Sequence, residues 1–224
     1  MNLFHIHWDK INDITEEDIT YYLFLENKPI EAICKIRGLD IETVKSHILY
    51  GKIKYGTIVK SNNEKELIKN ISLKAKEEKR EILDTLQPDN KLKLIEYIKT
   101  GYADMGPKEK EAAVWIIGEL KADSCLSILD RASVHKFVNI RRMAVSAMGK
   151  IGDMRSEAAL IRALDDSNPQ VITYAIKALI NIKSYNAKTK IEEILNSPDS
   201  KEYVKEKAKR YIEISSRNFN AEDL

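Results

Sequence analysis

The sequence contains few of the residues that cross-link, kink or interrupt a polypeptide chain. Its 224 residues include 2 cysteines, 5 prolines and 8 glycines. The cysteines, Cys34 and Cys125, lie far apart, and neither belongs to a Cys-x-x-Cys pair. This spacing indicates neither a disulfide framework nor a zinc site. We therefore expect two reduced, partly buried thiols in a fold that its hydrophobic core alone stabilises.

Long hydrophobic runs are also missing. No segment approaches the roughly 18 uncharged apolar residues that a membrane-spanning helix needs. The start of the chain, Met1 to Asp9, lacks the basic-then-apolar order of a signal peptide. A phosphate-binding loop of the form G-x-x-x-x-G-K-[ST] occurs nowhere in the chain. The sequence predicts a cytoplasmic protein without a membrane contact or a P-loop.

The residues that are abundant are aliphatic and charged. Hydrophobic residues make up 43% of the chain and charged residues 32%, with 37 lysines and arginines against 35 aspartates and glutamates. Such a composition, with so few turn-forming residues, is typical of a soluble helical protein rather than a disordered or fibrous one. We predict an all-α fold.

Charge is unevenly distributed although the net charge is only +2. Residues 9–27 carry one lysine against six acidic residues, whereas residues 28–60 carry seven basic residues against three acidic ones. A basic block beside an acidic one is typical of a local phosphate-contacting face. A solvated surface explains the same distribution more simply, so charge alone leaves both interpretations open.

A helical motif recurs through the second half of the chain. Each copy starts with an alanine followed by an apolar stripe, and the copies, spaced by 31, 31 and 33 residues, begin at Ala113, Ala144, Ala175 and Ala208. A second apolar helix follows near residues 125–129, 158–164 and 191–195, and Pro169 suits the first turn of a helix. Two helices per repeat, neither able to bury its apolar face alone, predict a stacked solenoid.

Two runs within this region carry a family resemblance. The runs Ala163-Leu-Asp-Asp-Ser-Asn-Pro-Gln-Val171 and Asn139-Ile-Arg-Arg142, each followed by helical alanines, resemble HEAT repeats of the short bacterial kind. The resemblance covers residues 107 to 214, with two departures: Ile172 replaces the usual arginine and Ile180 the usual helix glycine. It implies an α-solenoid that binds a partner, closed by a polar last helix.

The N-terminal region has a second pattern. Thr15-Glu-Glu-Asp18 has the form of a capping box that opens a first helix. A second helix is expected over residues 30–37 and ends at Gly38, because glycine readily adopts the left-handed conformation of a sharp interhelical turn. Asp40 caps a third helix, expected from Ile41 to about Leu49. Two short helices joined by a glycine turn form the helix-turn-helix layout.

Four stretches in this region carry another resemblance: Leu23-Phe24, Lys28-Pro-Ile-Glu-Ala-Ile33, Arg37-Gly-Leu39 and Thr43-Val-Lys-Ser-His47. They resemble the helix-turn-helix module near the C-terminus of RecQ-type helicases and related bacterial proteins, and more loosely the helix-turn-helix units of transcription factors. The resemblance implies contact with duplex DNA. It does not imply the helicase reaction, because the chain has no phosphate-binding loop.

Residues 61–105 are expected to form helices from Glu64 to about Asp84 and from Asn90 to Thr100. The run from Lys54 to Val59 is compatible with the strand of a short wing. The predicted fold is thus all-α, a small helix-turn-helix domain with a short wing followed by a HEAT-like α-solenoid. Its predicted parts are a helix-turn-helix domain at residues 1–60, a helical connector at 61–105 and a HEAT-like repeat domain at 106–224.

The third helix is the expected DNA-reading element, with its outward side chains over the base edges of the major groove. Candidates for base contacts are Glu42, Thr43, Lys45, Ser46 and His47, since lysine donates to guanine, glutamate accepts from cytosine and hydroxyls contact either base type. Candidates for phosphate contacts are Lys35, Arg37, Lys52 and Lys54. Basic residues expected in the solenoid groove are Arg131, Arg162, Lys188 and Lys190.

Catalytic and metal sites find little support. The motif His5-x-His7-x-Asp9 has a metal-ligand spacing but no further ligand is evident, so neither a metal nor another cofactor is expected. His135 is isolated, which argues against a catalytic histidine network. Trp115 and Asp123 are similar to the aromatic group and carboxylate of helical-repeat DNA glycosylases, but Trp115 falls within an apolar stripe and is predicted to be core.

Three functions of different classes remain open at this point. The preferred one is a non-enzymatic DNA-binding adaptor, whose helix-turn-helix contacts duplex DNA and whose HEAT-like repeats bind a protein partner or extend the DNA contact. One alternative is a protein-interaction scaffold without DNA binding. The other is an enzyme related to HEAT-like DNA glycosylases or lyases. No small-molecule substrate is expected.

Overall fold

The computed structural model describes residues 14–222, and the side chains of residues 14–216. Within this range the chain is helical and contains no β-strand, which confirms the all-α prediction. No helix in the range combines the length and the low charge needed to cross a membrane. The chain divides into two compact units, an N-terminal unit up to Leu94 and a repeat unit from Ile95 onward. The domain limits at residues 60 and 105 stay predictions.

The N-terminal unit begins with three helices joined by tight turns and continues with two more. The elements are α1 (Glu16–Leu25), α2 (Ile30–Arg37), α3 (Ile41–Val59), α4 (Glu64–Ser72), α5 (Lys76–Thr85) and the start of α6 (Pro88–Gly101). Side chains cap several of these helices, because the first backbone N–H groups of a helix have no partner within it. The Thr15 hydroxyl accepts from the Asp18 N–H at 3.2 Å, as the sequence predicts.

The predicted wing strand is wrong, because residues 54–59 continue α3 as a helix. Its buried residues keep a helical spacing without interruption: Val44, Ile48, Gly51, Tyr55 and Ile58. A strand would turn alternate residues of this series toward solvent. The third helix therefore ends at Val59 instead of near Leu49.

The single helix predicted from Glu64 to Asp84 is also wrong, because it is interrupted at residues 73–75. The interruption is stabilised by Glu78, whose side chain reaches back to accept a hydrogen bond from the Ala75 N–H at 3.0 Å. This bond satisfies a free donor at the start of α5. The break predicted between Asp84 and Asn90 is confirmed, since α5 ends at Thr85 and α6 begins at Pro88.

The repeat unit alternates long and short helices after α6. They are α7 (Pro107–Glu119), α8 (Leu126–Ser133), α9 (Val138–Ile151), α10 (Glu157–Arg162), α11 (Pro169–Asn181), α12 (Lys188–Asn196) and α13 (Glu202–Glu222). The long helices pack side by side in the order α7, α9, α11 and α13, and the short helices lie against them. Pro169 occupies the first turn of α11, as predicted. The stacked solenoid is confirmed.

Close approach of the long helices explains the recurring glycine and alanine. A Cβ atom added to Gly118 would lie 2.8 Å from the Cβ of Ala147, and one added to Gly149 would lie 2.9 Å from the Cβ of Ala178. The same contact therefore occurs twice, one repeat apart. Only a glycine leaves room for the neighbouring helix at this distance. The third long helix carries Ile180 at the corresponding position, so the glycine–alanine contact is not repeated there.

Ion pairs connect one repeat to the next with the same periodicity. Each joins a basic residue to an acidic residue 31 or 32 positions earlier: Lys150 to Glu119 at 2.5 Å, Arg155 to Asp123 at 2.8 Å and Arg162 to Asp130 at 2.5 Å. The two arginine pairs are about half exposed or more, so each contributes at most about 1 kcal/mol. Their main consequence is that they occupy charges which would otherwise be free for a partner.

Candidate nucleic-acid interface

Helices α2 and α3 meet at the glycine turn that the sequence predicts. Gly38 has a φ of 65°, in the left-handed region, and its N–H donates to the carbonyl of Cys34. Asp40 then caps α3, because its carboxylate accepts from the N–H groups of Glu42 at 3.0 Å and Thr43 at 2.9 Å. Hydrogen bonds from the Thr43 hydroxyl and these amides hold the pKa of Asp40 below its usual value.

A small core holds the two helices in this arrangement. Ile33 of α2 packs with Val44 and Ile48 of α3, and all three are at most 5% exposed. Partly buried residues surround them: Leu23, Phe24, Ile30, Cys34 and Leu39. Since the inward face of α3 is committed to this core, its opposite face is the one that remains accessible.

The accessible face of α3 changes character along its length. Glu42, Ser46, Leu49 and Ile53 follow the spacing of a single helix face, and all four are exposed. The first half of this face is polar, and Lys45 lies beside it. The Lys45 side chain is 52% exposed, and its Nζ lies 3.0 Å from the carboxylate of Glu42. Its second half is apolar, because Leu49 is 60% and Ile53 77% exposed. Base-contact chemistry is therefore confined to the first half.

Two of the predicted base-contacting residues point away from this accessible face. The Thr43 hydroxyl donates to Asp40 at 2.7 Å and completes the cap of α3. The Nδ1 atom of His47 lies 3.2 Å from the hydroxyl oxygen of Thr20 on α1, and the His47 side chain is half-buried. The exposed base-contact candidates are thus Glu42, Lys45 and Ser46.

The four predicted phosphate-contacting residues divide into two pairs. Lys35 on α2 is exposed, and so is Lys52, whose Nζ lies 4.9 Å from the centre of the Phe24 ring. Arg37 forms an ion pair with Glu16 and has only 15% of its side chain exposed. Lys54 lies 3.3 Å from Asp18. Acidic residues of α1 therefore already neutralise two of the four predicted phosphate-contacting cations.

Lys54 is held especially firmly. Burial alone would lower its pKa, but its contact with the Tyr55 hydroxyl and the charge of Asp18 raise the pKa overall. Tyr55 donates to Asp18 at 2.8 Å, and burial raises the pKa of Tyr55 to about 12. Lys54 thus stays charged, and its charge is already compensated within the unit.

The predicted groove residues of the repeat unit lie on the short helices α8, α10 and α12, and three of the four form an ion pair or a hydrogen bond. Arg162 pairs with Asp130, Lys190 pairs with Asp165, and the Nε of Arg131 donates to the Ser127 carbonyl at 3.4 Å. Lys188 is exposed. Acidic neighbours thus compensate two of these four basic residues, which argues against a continuous positive track.

The structure gives no support for catalysis at the residues that the sequence singled out for it. Trp115 is 5% exposed, which confirms it as a core residue, and Asp123 is ion-paired with Arg155. Both cysteines are free, and burial raises the pKa of the Cys125 thiol. In the part of the chain that the structure describes, no cluster of three residues could hold a metal. The motif at His5, His7 and Asp9 lies outside the described residues.

Comparison with protein families agrees with this arrangement. A family model described as a helix-turn-helix domain matches residues 16–99, and one described as HEAT repeats matches residues 93–179 and 126–213, which together span more than half of the chain. No curated protein is a significant match. The chain therefore belongs to the HEAT-repeat family and carries a helix-turn-helix domain ahead of its repeats.

Proposed function

We propose that this protein is a non-enzymatic DNA-binding adaptor, in which the helix-turn-helix contacts duplex DNA and the HEAT repeats hold a protein partner. The observation that supports this most is the exposed polar face of the first half of α3, which follows the left-handed turn at Gly38. This is the element that enters the major groove in helix-turn-helix proteins. The resemblance of the region to the RecQ-type module supports duplex DNA as the ligand.

Binding in this proposal uses few charges. Lys45 leaves Glu42 to reach a guanine or a phosphate, which requires little energy because the pair is exposed. Ser46 contacts a neighbouring base edge, and Lys35 and Lys52 contact phosphates on either side. Because only Lys35, Lys45 and Lys52 of the five predicted cations are exposed, affinity and salt dependence are both expected to be modest.

The proposal contains no catalytic step. The sequence offers no phosphate-binding loop, and the raised pKa of Cys125 makes its thiol a poor nucleophile near neutral pH. The HEAT repeats contribute an extended surface of stacked helices, which suits an elongated protein partner.

A protein-interaction scaffold without DNA binding is the second candidate. It is favoured by one observation, that Glu16 and Asp18 compensate Arg37 and Lys54 inside the N-terminal unit. A surface whose strongest cations are already paired has less attraction for a phosphate backbone. The two candidates differ in one measurable property, salt-dependent binding to duplex DNA.

The test is a charge reversal on the accessible side of α3. We expect Lys45→Glu combined with Lys52→Glu to weaken duplex binding about tenfold, because two cations near the phosphates become anions. The slope of log K against log salt concentration should become shallower by about 0.9 for each lost phosphate contact. Fluorescence anisotropy of a labelled duplex at two salt concentrations measures both quantities.

Lys65→Glu combined with Lys69→Glu is the matched control. Both lysines are exposed on α4 in the same unit, so the net charge changes equally without touching α2 or α3. Duplex binding should be nearly unchanged in this control. If both double variants weaken binding to the same extent, only net charge matters and the α3 interface is wrong. If the unmodified protein binds no duplex at all, the scaffold candidate replaces the adaptor.

A further inference from the structure

The second half of α3 exposes a patch of large apolar side chains to solvent. Leu49, Tyr50 and Ile53 are adjacent on the helix, and their exposed fractions are 60%, 44% and 77%. Burying one such side chain typically contributes about 1.5–3 kcal/mol. A contiguous exposed apolar patch of this kind marks an interaction surface. None of these three residues is among the candidates for DNA contact.

Beside this patch lies a cleft between α3 and α5, which we call the apolar cleft. Its volume is about 410 Å³, and both walls belong to the N-terminal unit. Tyr50, Ile53 and Thr57 form the α3 wall, and Ile82, 6% exposed, lies on the α5 wall. The cleft thus continues the exposed patch into a recess wide enough for a large apolar side chain.

The rim of the apolar cleft is acidic. Glu78, Glu81 and Asp84 of α5 line it, together with Lys54 and Lys74. Lys54 is paired with Asp18, and Lys74 is paired with Glu78 at 3.0 Å. Both cations of the rim are therefore compensated by neighbours. Glu81 and Asp84 are exposed, and no ion pair to either is found among the residues that the structure describes.

We propose that the apolar cleft binds a basic amphipathic helix of a partner protein. One large apolar residue of that helix enters between Tyr50 and Ile82 and covers Ile53. Lysines or arginines that flank it reach Glu81 and Asp84. This chemistry matches both parts of the site, because apolar area supplies affinity and opposite charge selects the partner. The same carboxylates repel a phosphate backbone, which separates this site from the DNA surface.

The proposal stands independently of DNA binding, because it uses different residues of α3. A protein with both sites would hold a duplex with the first half of α3 and a basic helix with the second. Loss of either activity would leave the other intact.

A helical peptide of leucine and lysine tests the apolar cleft, with a peptide of leucine and glutamate as its counterpart. Isothermal titration with the whole protein should give one site for the basic peptide and much weaker binding of the acidic one. Ile53→Ser should raise the Kd of the basic peptide about tenfold, since it removes an apolar contact without adding charge. Leu92→Ser is the matched control, because Leu92 is 67% exposed and lies outside the cleft.

A charge swap provides the second variant. Glu81→Lys combined with Asp84→Lys should weaken binding of the basic peptide about tenfold and strengthen binding of the acidic one. Because the substituted residues Ile53, Glu81, Asp84 and Leu92 are all exposed, the helical circular dichroism of each variant should match that of the unmodified protein. Equal binding of both peptides, or equal affinities for Ile53→Ser and Leu92→Ser, would overturn the proposal. So would self-association of the protein that Ile53→Ser abolishes, since a second copy would then occupy the cleft.

Discussion

We expect Gly51→Ala to destabilise the protein by about 3 kcal/mol. Gly51 lies on the buried side of α3, against the ring of Tyr21. A Cβ atom at this position would lie 2.5 Å from both Cδ atoms of Tyr21. Tyr21 is 2% exposed, and its ring stacks on those of Phe24 and Tyr55 with centre distances of 6.2 and 6.1 Å. Because the ring has no free space to enter, α3 must move away from α1.

Gly56→Ala is the matched control on the same helix. A Cβ atom at Gly56 meets no heavy atom within 4 Å. Alanine is the better helix former, so this variant should be as stable as the unmodified protein or more stable by up to about 1 kcal/mol. Urea unfolding followed by circular dichroism measures both variants. Equal stabilities for the two variants would show that Gly51 is not packed against Tyr21.

We expect Arg141→Ala to destabilise the repeat unit by about 3 kcal/mol, because it leaves a buried carboxylate without its partner. The guanidinium of Arg141 donates to Asp166 through two parallel bonds, Nε to Oδ2 at 2.6 Å and Nη2 to Oδ1 at 2.8 Å. Their side chains are 14% and 8% exposed. Arg141 also donates to the carbonyl of His135 at 3.0 Å. One residue thus connects the start of α9 to the turns before α9 and α11.

The same pair predicts a dependence of stability on pH. Burial alone would raise the pKa of Asp166, but its bonds with Arg141 and with the N–H of Asn168 lower the pKa overall. An aspartate whose folded pKa is below its unfolded value of about 3.9 stabilises the protein above that pH. This contribution disappears as the pH falls through the folded pKa. Asp166→Asn should therefore cost stability near neutral pH, and the difference from the unmodified protein should shrink on acidification.

Urea unfolding at neutral pH and at a pH below about 3.9 measures this convergence. Asp153→Asn is a suitable comparison, because the pKa of Asp153 is also lowered, by bonds with Arg155, yet the Arg155 side chain is 62% exposed. Solvent screens such a pair, so this variant should change stability much less at either pH. Equal effects of the two asparagine variants at neutral pH would contradict a special contribution of the buried pair.

The helical elements were predicted well where their signals are local. The turn at Gly38, the caps at Thr15 and Asp40 and the start of α11 at Pro169 each depend on residues within a few positions of one another. The repeats were found because an alanine followed by an apolar stripe recurs every 31 to 33 residues. The wing strand was wrong because the run from Lys54 to Val59 is rich in β-branched residues, while its burial pattern is helical.

The candidate site was predicted less completely. The sequence placed Lys45 and Ser46 on the third helix, and both are exposed there. It also proposed Thr43 and His47, but the first completes a cap and the second contacts Thr20 on another helix. A helical projection over the full length of α3 would have placed His47 on the flank of the helix. The apolar patch was missed because α3 was expected to end where the patch begins.

The amino-acid sequence by itself determined that this chain forms a helix-turn-helix followed by HEAT repeats. Helix caps, glycine turns and hydrophobic periodicity depend on residues close together in the chain, so they can be recognised from the sequence. Only the tertiary structure decided which charges are free. Arg37 meets Glu16 across 21 positions, and Lys54 meets Asp18 across 36. Such pairs form because folding brings α2 and α3 against α1, and no local sequence pattern indicates these contacts.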